Sequence, residues 1–202
     1  MSMPSSPPEQ LQLRAQRLLL RPLRPADAAA LFGIFSDPQT LRYWSSSPWT
    51  TMAQADAMIA SARIAQEDGS ALRFGLEIAA SGELIGNCTL YHFSPSNRRC
   101  EVGYILGRGH WGKGYMAEAM ARLLAHAFDA LDLNRIEADI DPRNAASARL
   151  LERLGFRKEG FMRERWIVNG EICDTDYYGL LRAEWRDADG KRQQEQTGKR
   201  EQ

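Results

Sequence analysis

The stretch from Cys100 to Leu131 constrains the fold most, because its hydrophobic pattern changes period partway along it. Residues 101–106 alternate between two faces, which predicts a β-strand. Apolar residues recur at helical spacing from Tyr115 onward, which predicts a helix that ends near Leu131. Between the strand and the helix lie four glycines: Gly107, Gly109, Gly112 and Gly114. A glycine-rich loop that opens a helix presents unpaired amides and the positive end of the helix dipole, so the stretch predicts a phosphate site.

Two well-known phosphate loops fit this stretch only in part. Gly107, Gly109 and Gly112 spell the G-x-G-x-x-G of dinucleotide-binding folds, but only one further strand and helix follow before a hairpin. Residues 107–113 also spell G-x-x-x-x-G-K, but Gly114 follows where a P-loop needs a hydroxyl for magnesium. A nucleotide-dependent oxidoreductase stays open as an alternative, with Asp132 at the distance expected of a ribose ligand.

A third kind of loop matches better. Residues 111–116, WGKGYM, resemble motif A of the GNAT acyltransferases, in which loop amides hold the pyrophosphate of acetyl-CoA. The family signature is Q/R-x-x-G-x-G/A, from which the chain departs at Trp111 and Met116. Residues 144–156, NAASARLLERLGF, resemble the family's N-x-x-S/A helix that ends in G-F. The resemblance runs from about Leu13 to Trp185 and is closest to the RimJ/RimL-like N-terminal acetyltransferases of ribosomal proteins.

The resemblance implies an α/β fold and a domain organisation. The expected fold is a mixed sheet of about seven strands with helices on both faces, in which two central parallel strands splay apart around the pantetheine arm. The acetyltransferase domain is expected over residues 13–186. A loose segment, 1–12, is expected before it, and a polar, disordered tail, 187–202, after it.

The cofactor-binding residues follow from matching the two motifs. Asn144 is a natural helix N-cap, and the matching residue of the family also binds pantetheine. Gly103 predicts a bulge or a close approach of another chain within its strand. The residues expected to bind acetyl-CoA are Ile105, Leu106, Trp111, Gly112, Lys113, Gly114, Tyr115, Met116, Asn144 and Ser147.

Glu101 and Ser147 are the expected catalytic residues. Glu101 stands where many family members keep a general base or a ligand for the substrate ammonium, and Ser147 where relatives place a hydroxyl near the thioester sulfur. The tyrosine acid of many family members is replaced by Leu151, so either Ser147 or water protonates the thiolate. For His92 and His110 a structural or surface role is favoured over a role as base.

The family places the acceptor between the first helices and the last hairpin. The residues expected there are Tyr43, Trp44, Trp49 and Trp166, with Asn169 and Asp174 nearby. An α-amine at a protein N-terminus is the favoured acceptor, because its pKa of about 7.7 to 8.0 makes deprotonation far easier than that of lysine at about 10.4. Two alternatives remain: a small-molecule amine or antibiotic as acceptor, and a non-catalytic acyl-CoA-binding module.

Composition limits the other partners. The 202 residues balance 26 basic against 26 acidic side chains, so neither direct nucleic-acid binding nor a membrane partner is expected. Three cysteines without ligand spacing predict free thiols and no metal. No signal sequence is recognisable, so the cytoplasm is the expected location. A monomer or a homodimer is expected.

The remaining elements are predicted from periodicity and turn residues. A strand is expected over 17–21, helices from Pro25, over 36–44 and from a Thr51–Gln54 capping box to residue 67, and a hairpin over 72–93. A strand over 135–140, parallel to the one before it, and a helix over 144–154 come next. Asn169 and Gly170 then predict the turn of a last hairpin, 161–181.

Overall fold

Eight strands form one mixed sheet in the computed structural model, which describes residues 11–185. The order across the sheet is β1-β2-β3-β4-β5-β6-β8-β7, and only β5 and β6 are parallel neighbours. The strands are β1 (Leu13–Arg14), β2 (Leu18–Arg21), β3 (Ala71–Ile78), β4 (Leu84–Ser94), β5 (Arg99–Leu106), β6 (Arg135–Ile140), β7 (Arg157–Val168) and β8 (Glu171–Leu181). The predicted mixed sheet is confirmed, and the short β1 raises the expected seven strands to eight.

Four α-helices accompany the sheet within the described residues: α1 (Ala28–Phe35), α2 (Ala53–Asp68), α3 (Tyr115–Asp129) and α4 (Ala145–Arg153). Single 3-10 turns occupy Pro25–Asp27, Pro95–Asn97 and Arg108–His110. The helix predicted over 36–44 is wrong. The Asp37 carboxylate there accepts the Gln39 amide at 3.0 Å and the Thr40 hydroxyl at 2.9 Å, which favours isolated turns over a continuous helix.

Two hydrophobic clusters lie on opposite faces of the sheet. The larger contains the buried face of α3, together with Leu150, Leu151 and strand residues such as Val102 and Ile136. The smaller joins α1 and α2 to Leu84 and Ile105. Because successive strand residues point to opposite faces, Ile105 and the Val102 series belong to different faces of β5. Helices therefore cover both faces, as the resemblance implies.

The parallel strands β5 and β6 separate partway along their length. They pair at Arg99 with Arg135, at Cys100 with Ile136 and at Glu101 with Glu137, and no further pair is recorded between them within the described residues. Both strands continue, β5 to Leu106 and β6 to Ile140. This splay leaves a gap, which we call the β5/β6 gap, directly beyond Glu101. The predicted splayed pair is thus confirmed.

A buried ion cluster holds the start of α1 against the sheet. The Arg21 guanidinium donates to both carboxylate oxygens of Asp27 at 2.8 Å and to Glu77 of β3 at 2.5 Å. Burial alone would raise the pKa of Asp27, but the hydrogen bonds from Arg21 and from the Arg24 amide outweigh it and lower that pKa. The cluster fixes where the chain leaves β2 and begins α1.

The tip of the last hairpin, β7 to β8, contacts the segment between α1 and α2. Asn169 and Gly170 both have positive φ, 52° and 81°, so the predicted two-residue turn is confirmed. Asn169 also accepts a hydrogen bond from the Ser47 hydroxyl in the segment between α1 and α2. The hairpin tip and that segment therefore meet, although they are far apart in the sequence.

Some expectations concern chain ends or thiols. The predicted loose segment, 1–12, lies almost wholly outside the described residues, and the predicted tail, 187–202, lies entirely outside them. The three cysteines are free, with Cys88 and Cys100 buried and Cys173 partly buried. Among residues 11–185, no helix combines the length and apolar character that a membrane crossing needs.

Candidate active site

The loop before α3 presents a row of unused backbone donors. Gly112 and Gly114 have φ values of 73° and 79°, and Gly114 is the N-cap of α3 without a side-chain cap. The first recorded bond into the helix runs from the Glu118 amide to the Gly114 carbonyl at 3.1 Å. Within residues 11–185, the amides from Gly112 to Ala117 have no recorded acceptor. Such a cluster at a helix N-terminus fits a phosphate or pyrophosphate.

Two side chains of the loop stabilise its own backbone. The Trp111 indole donates to the Leu106 carbonyl at 2.7 Å, and the Lys113 ammonium donates to the Gly109 carbonyl at 2.8 Å. Trp111 therefore anchors the loop to the end of β5, which gives a physical reason for a tryptophan where the family has Gln or Arg. The indole donor of Trp111 is thereby used, whereas the Lys113 ammonium keeps two further donors beside the free amides.

Arg17, which the sequence did not single out, braces the same loop from the opposite end of the chain. Its guanidinium donates to Glu118 at 2.7 Å and to the Lys113 carbonyl at 3.0 Å, and lies 4.5 Å from the centre of the Tyr115 ring. Arg17 thus packs on one face of the Tyr115 ring, while the Tyr115 amide has no recorded acceptor within residues 11–185. No local motif could have revealed this contact.

On the sheet face covered by α3 and α4, two hydroxyls meet at the β5/β6 gap. Asn144 accepts the Ser147 amide at 3.1 Å, so the predicted N-cap is confirmed. The Ser147 hydroxyl lies 2.6 Å from the hydroxyl of Tyr104 on β5. Burial raises the pKa of Tyr104 to about 12, so Tyr104 is a neutral phenol able to donate to Ser147. Leu151 is fully buried in the core.

Tyr104 was missed as a functional residue, although β5 alternation puts it on the face opposite Glu101. A phenol inside an otherwise apolar strand face was the only available signal. Its partner on α4 is distant in sequence, so the contact required the tertiary structure.

On the opposite face of the sheet, the Glu101 side chain contacts His92. The Glu101 carboxylate lies 3.2 Å from His92 Nδ1, and their side chains are 20% and 70% exposed. His92 has a φ of 51° and sits where the β4 register shifts between Tyr91 and Ser94. A bulge of this kind re-aims a side chain, and here it brings a solvent-facing imidazole to the partly buried carboxylate. His92, expected to be structural, is in contact with the candidate base.

Of the two alternatives expected at Gly103, the bulge is wrong, and the close approach of another chain stays a prediction. Gly103 pairs with Thr89 inside an unbroken stretch of β4 and β5, and the bulge lies on β4 instead. A Cβ on Gly103 would stand 3.3 Å from the ring of Tyr91. The missing side chain therefore makes room for that ring on the same sheet face as Glu101.

The aromatic residues expected around the acceptor divide into two groups. Trp49 stacks on Phe35 with ring centres 4.4 Å apart, and Trp44 meets the same ring edge-on at 6.0 Å, so both are packed against the smaller core cluster. Tyr43 lies at the rim, with the Arg143 guanidinium 5.9 Å from its ring centre.

Trp166 is half-exposed, and its indole donates to Asp139 of β6 at 3.3 Å. Asp174 accepts the amide of Glu164 at 2.8 Å, which occupies one of its oxygens with the irregular part of β7. Together with the contact between Ser47 and Asn169, these residues put the acceptor segments on one side of the sheet.

His110 lies between the turn that joins β3 and β4 and the start of α3, with its ring centre 6.3 Å from that of Tyr115. Its Nε2 lies 3.2 Å from Glu83 in the turn between β3 and β4, and its Nδ1 is buried without a partner among the described residues. Within residues 11–185, no group of three or more His, Cys, Asp and Glu residues could hold a metal ion.

Comparison with known proteins identifies a family with the same parts. Residues 17–157 match the family model described as an acetyltransferase (GNAT) domain. An uncharacterized N-acetyltransferase, p20, from Bacillus licheniformis is 38% identical over 86% of this chain and 97% of its own length. The Escherichia coli alanine N-acetyltransferase of ribosomal protein uS5 is 32% identical over 59% of this chain and 62% of its own length.

A solved structure adds a relative with another acceptor. Spermidine N-acetyltransferase from Vibrio cholerae, in complex with CoA and spermine, is 25% identical and superposes with a TM-score of 0.74. The match covers 84% of this chain and 98% of that structure. Ribosomal-protein and polyamine acetyltransferases are thus both among the proteins that this chain is similar to.

Proposed function

Because the chain belongs to the GNAT acetyltransferase family, and is thus an acetyl-CoA-dependent N-acetyltransferase, we propose that its acceptor is the α-amine of a protein N-terminus. The expected kinship with ribosomal-protein acetyltransferases is confirmed by the E. coli relative, whose acceptor is an alanine of protein uS5. One observation carries the proposal: at the β5/β6 gap, one face of the sheet has a single partly buried carboxylate, Glu101, and the other face has the paired hydroxyls of Tyr104 and Ser147.

The donor is held mainly by backbone. In this proposal the amides of Gly112 to Met116 bind the pyrophosphate, and Ile105, Leu106, Asn144 and Ser147 line the gap that receives the pantetheine arm. The free amides and the two positive-φ glycines fit an anion that approaches the backbone closely. Acetyl-CoA supplies an acyl group already activated as a thioester, so the chain needs no nucleophile of its own.

Glu101 accepts the proton that the amine releases as its nitrogen bonds to the acyl carbon. His92 lies 3.2 Å away and largely in solvent, so it offers that proton a route out of the site. A single carboxylate of this kind suits an α-amine. At neutral pH an α-amine needs about 1 kcal/mol to lose its proton, whereas a lysine side chain needs about 4 kcal/mol or more.

As the carbon–sulfur bond breaks, the Ser147 hydroxyl donates a hydrogen bond to the sulfur, and the Tyr104 hydroxyl, 2.6 Å away, donates one to Ser147. The thiolate then takes its proton from solvent. The demand on this pair is small, because a thiol has a pKa near 8.5 and its thiolate is a tolerable leaving group near neutral pH. Glu101 and Ser147 thereby act from opposite faces of β5, which suits amine and thioester entering from opposite sides.

The acceptor chain would enter between the segment before α2 and the last hairpin. Tyr43 and Trp166 stand at its rim, and Trp44 and Trp49 support the rim through Phe35. The contact of Ser47 with Asn169 closes one end of this entrance.

The test offers short peptides, each containing one lysine, with a free or a blocked N-terminus, beside spermidine and an aminoglycoside. Mass spectrometry then locates the acetyl group. We expect acetylation of the free α-amine and none of the blocked peptide. Acetylation of the lysine in the blocked peptide, or turnover of the small amines alone, would show that the acceptor assignment is wrong.

A further inference from the structure

Arg73 of β3 is a half-buried guanidinium without a recorded hydrogen bond or ion pair among the described residues, and its recorded electrostatic neighbour is the neutral phenol of Tyr91. Burial lowers the pKa of Arg73. Three other arginines of the sheet are paired: Arg21 with Asp27 and Glu77, Arg99 with Glu137, and Arg135 with Glu137 and Glu159. A guanidinium that loses water without gaining an anion is unfavourable, so Arg73 indicates a binding function.

Sheet register puts Arg73 on the acceptor side. Arg73 pairs with Thr89 on β4, and Thr89 pairs with Gly103 on β5. Glu101 lies two residues before Gly103, on the same face of β5. Two strand spacings of about 4.8 Å and a two-residue offset separate the Cα atoms of Arg73 and Glu101 by roughly 12 Å.

The surface between them is polar and rich in unused donors. Thr89 is buried, and the Tyr91 ring covers Gly103. Asn87, one pleat further along β4, is only 3% exposed, and its amide nitrogen has no partner among the described residues. Arg73 and Asn87 are both donors, so the missing partner is an acceptor such as a carboxylate.

The other charged groups on this face divide it into two ends. Glu101 of β5, beside His92 of β4, and Asp139 of β6, beside the Trp166 indole, suit an ammonium group. Glu137 of β6 is already paired with Arg99 and Arg135. Glu77, further along β3 from Arg73, already binds Arg21. The face therefore runs from an acidic end at the gap to a free positive charge at β3.

We propose that Arg73 binds an acidic side chain near the start of the acceptor peptide while the α-amine faces Glu101. This rests on the proposed function and names the substrate class of the same site. An extended chain advances about 3.3 Å per residue, and the arginine side chain itself spans much of the separation, so the acidic residue is the second or third of the peptide. A polyamine is disfavoured, because its further ammonium groups would lie against Arg73.

The experiment compares peptides that differ only at positions two, three and four, each with Asp, Asn or Lys at one of them. Initial rates give kcat/KM for the wild type, Arg73→Met and Arg73→Glu. Arg63→Met is the matched control, since Arg63 lies on α2, is 71% exposed and pairs only loosely with Glu67. Mass spectrometry confirms that every product is acetylated at the α-amine.

We expect the wild type to prefer Asp over Asn at position two or three by about tenfold, as for a charge-assisted bond in a partly desolvated site. Arg73→Met should remove the difference between the two peptides, Arg73→Glu should favour the Lys peptide, and Arg63→Met should keep the Asp preference. The unfolding temperature of Arg73→Met should not fall below that of the wild type, because an unpaired charge contributes no stabilising ion pair.

Equal rates on Asp and Asn peptides, or an Asp preference that survives in Arg73→Met, would overturn the inference even though α-amine acetylation continues. A lowered unfolding temperature in Arg73→Met would show that Arg73 has a structural partner, which also overturns it. Acetylation of lysine or spermidine alone would overturn the proposed function as well, and the position of the acetyl group separates that failure from the first.

Discussion

The two ends of the candidate active site are built in different ways. The anion end consists of consecutive amides from Gly112 to Ala117, placed by two positive-φ glycines and the start of one helix. The acceptor end consists of side chains from β3, β4, β5, the segment before α2 and the last hairpin. The first depends on the main-chain conformation of one loop, whereas the second depends on the identity of side chains from several elements. This difference suits a family that keeps one donor and varies the acceptor.

The largest expected effect breaks the anion end alone. Gly114→Val places a β-branched residue at a φ of 79°, so the loop must change shape and the amides lose their common direction. We expect affinity for acetyl-CoA to fall at least about a hundredfold, corresponding to two or more lost charge-assisted hydrogen bonds. Isothermal titration calorimetry measures it.

The matched control for this prediction is Gly109→Ala. Gly109 lies in the same loop, but a Cβ there meets nothing within 4 Å and its φ is not positive. The control should bind acetyl-CoA nearly as tightly as the wild type. Full affinity in Gly114→Val would refute the backbone site.

The next effect belongs to the acceptor end. Glu101→Gln removes the proposed base while keeping the shape of the side chain, so kcat should fall by about a hundredfold, the usual contribution of a general base. Acetyl-CoA affinity should stay within a few-fold of the wild-type value, because Glu101 lies on the face of β5 opposite the Ser147 and Tyr104 hydroxyls. The deficit should shrink as pH rises, since the amine then loses its proton unaided.

Rates across a pH series, with calorimetry on the same protein, check this prediction. A fall in acetyl-CoA affinity as large as the fall in kcat would assign Glu101 to the donor end. That result would break the division of the site into two independently built halves.

A smaller effect is expected where the two ends meet. Tyr104→Phe leaves the Ser147 hydroxyl without its partner at 2.6 Å, so we expect kcat to fall about tenfold, the loss of roughly one hydrogen bond. Ser147→Ala should cost a similar factor. The double variant should cost little more than either alone, because the two hydroxyls act as one unit.

Stopped-flow or steady-state rates on the three variants give the coupling. Tyr178→Phe, a buried tyrosine of the same core cluster, serves as the control for loss of a core phenol. Additive losses from Tyr104 and Ser147 would show that the hydroxyls do not cooperate.

The parts that could be predicted from the sequence are those set by short-range rules. The strand, glycine loop and helix from Cys100 onward, the Asn144 cap and the Asn169–Gly170 turn each depend on residues within one or two turns of one another. The donor motif belongs to the same class, because consecutive amides come from consecutive residues.

The parts that were missed depend on residues brought together only by the fold. Arg17 contacts a loop almost a hundred residues away in the sequence, and Tyr104 contacts a serine of α4. The position of Arg73 relative to Glu101 is set by the pairing of β3, β4 and β5. The false helix over 36–44 has another cause, since helical spacing there competes with the Asp37 side chain. Helical periodicity does not register a side chain that bonds its own backbone.

The buried cluster of Arg21, Asp27 and Glu77 gives the protein an uneven response to acid. The pKa of Asp27 is lowered in the folded state, so its contribution is present above the usual carboxyl range, near pH 4, and is lost as pH falls through the lower folded value. Protonation would leave Arg21 buried without its main partner, a change that costs about 3 to 5 kcal/mol. Asp27 directly precedes α1, and Phe35 at the end of α1 supports Trp44 and Trp49. Acid below about pH 4 should therefore loosen the proposed acceptor entrance before it disturbs the loop at α3. An acid-treated enzyme would then still bind the donor after it has lost the acceptor.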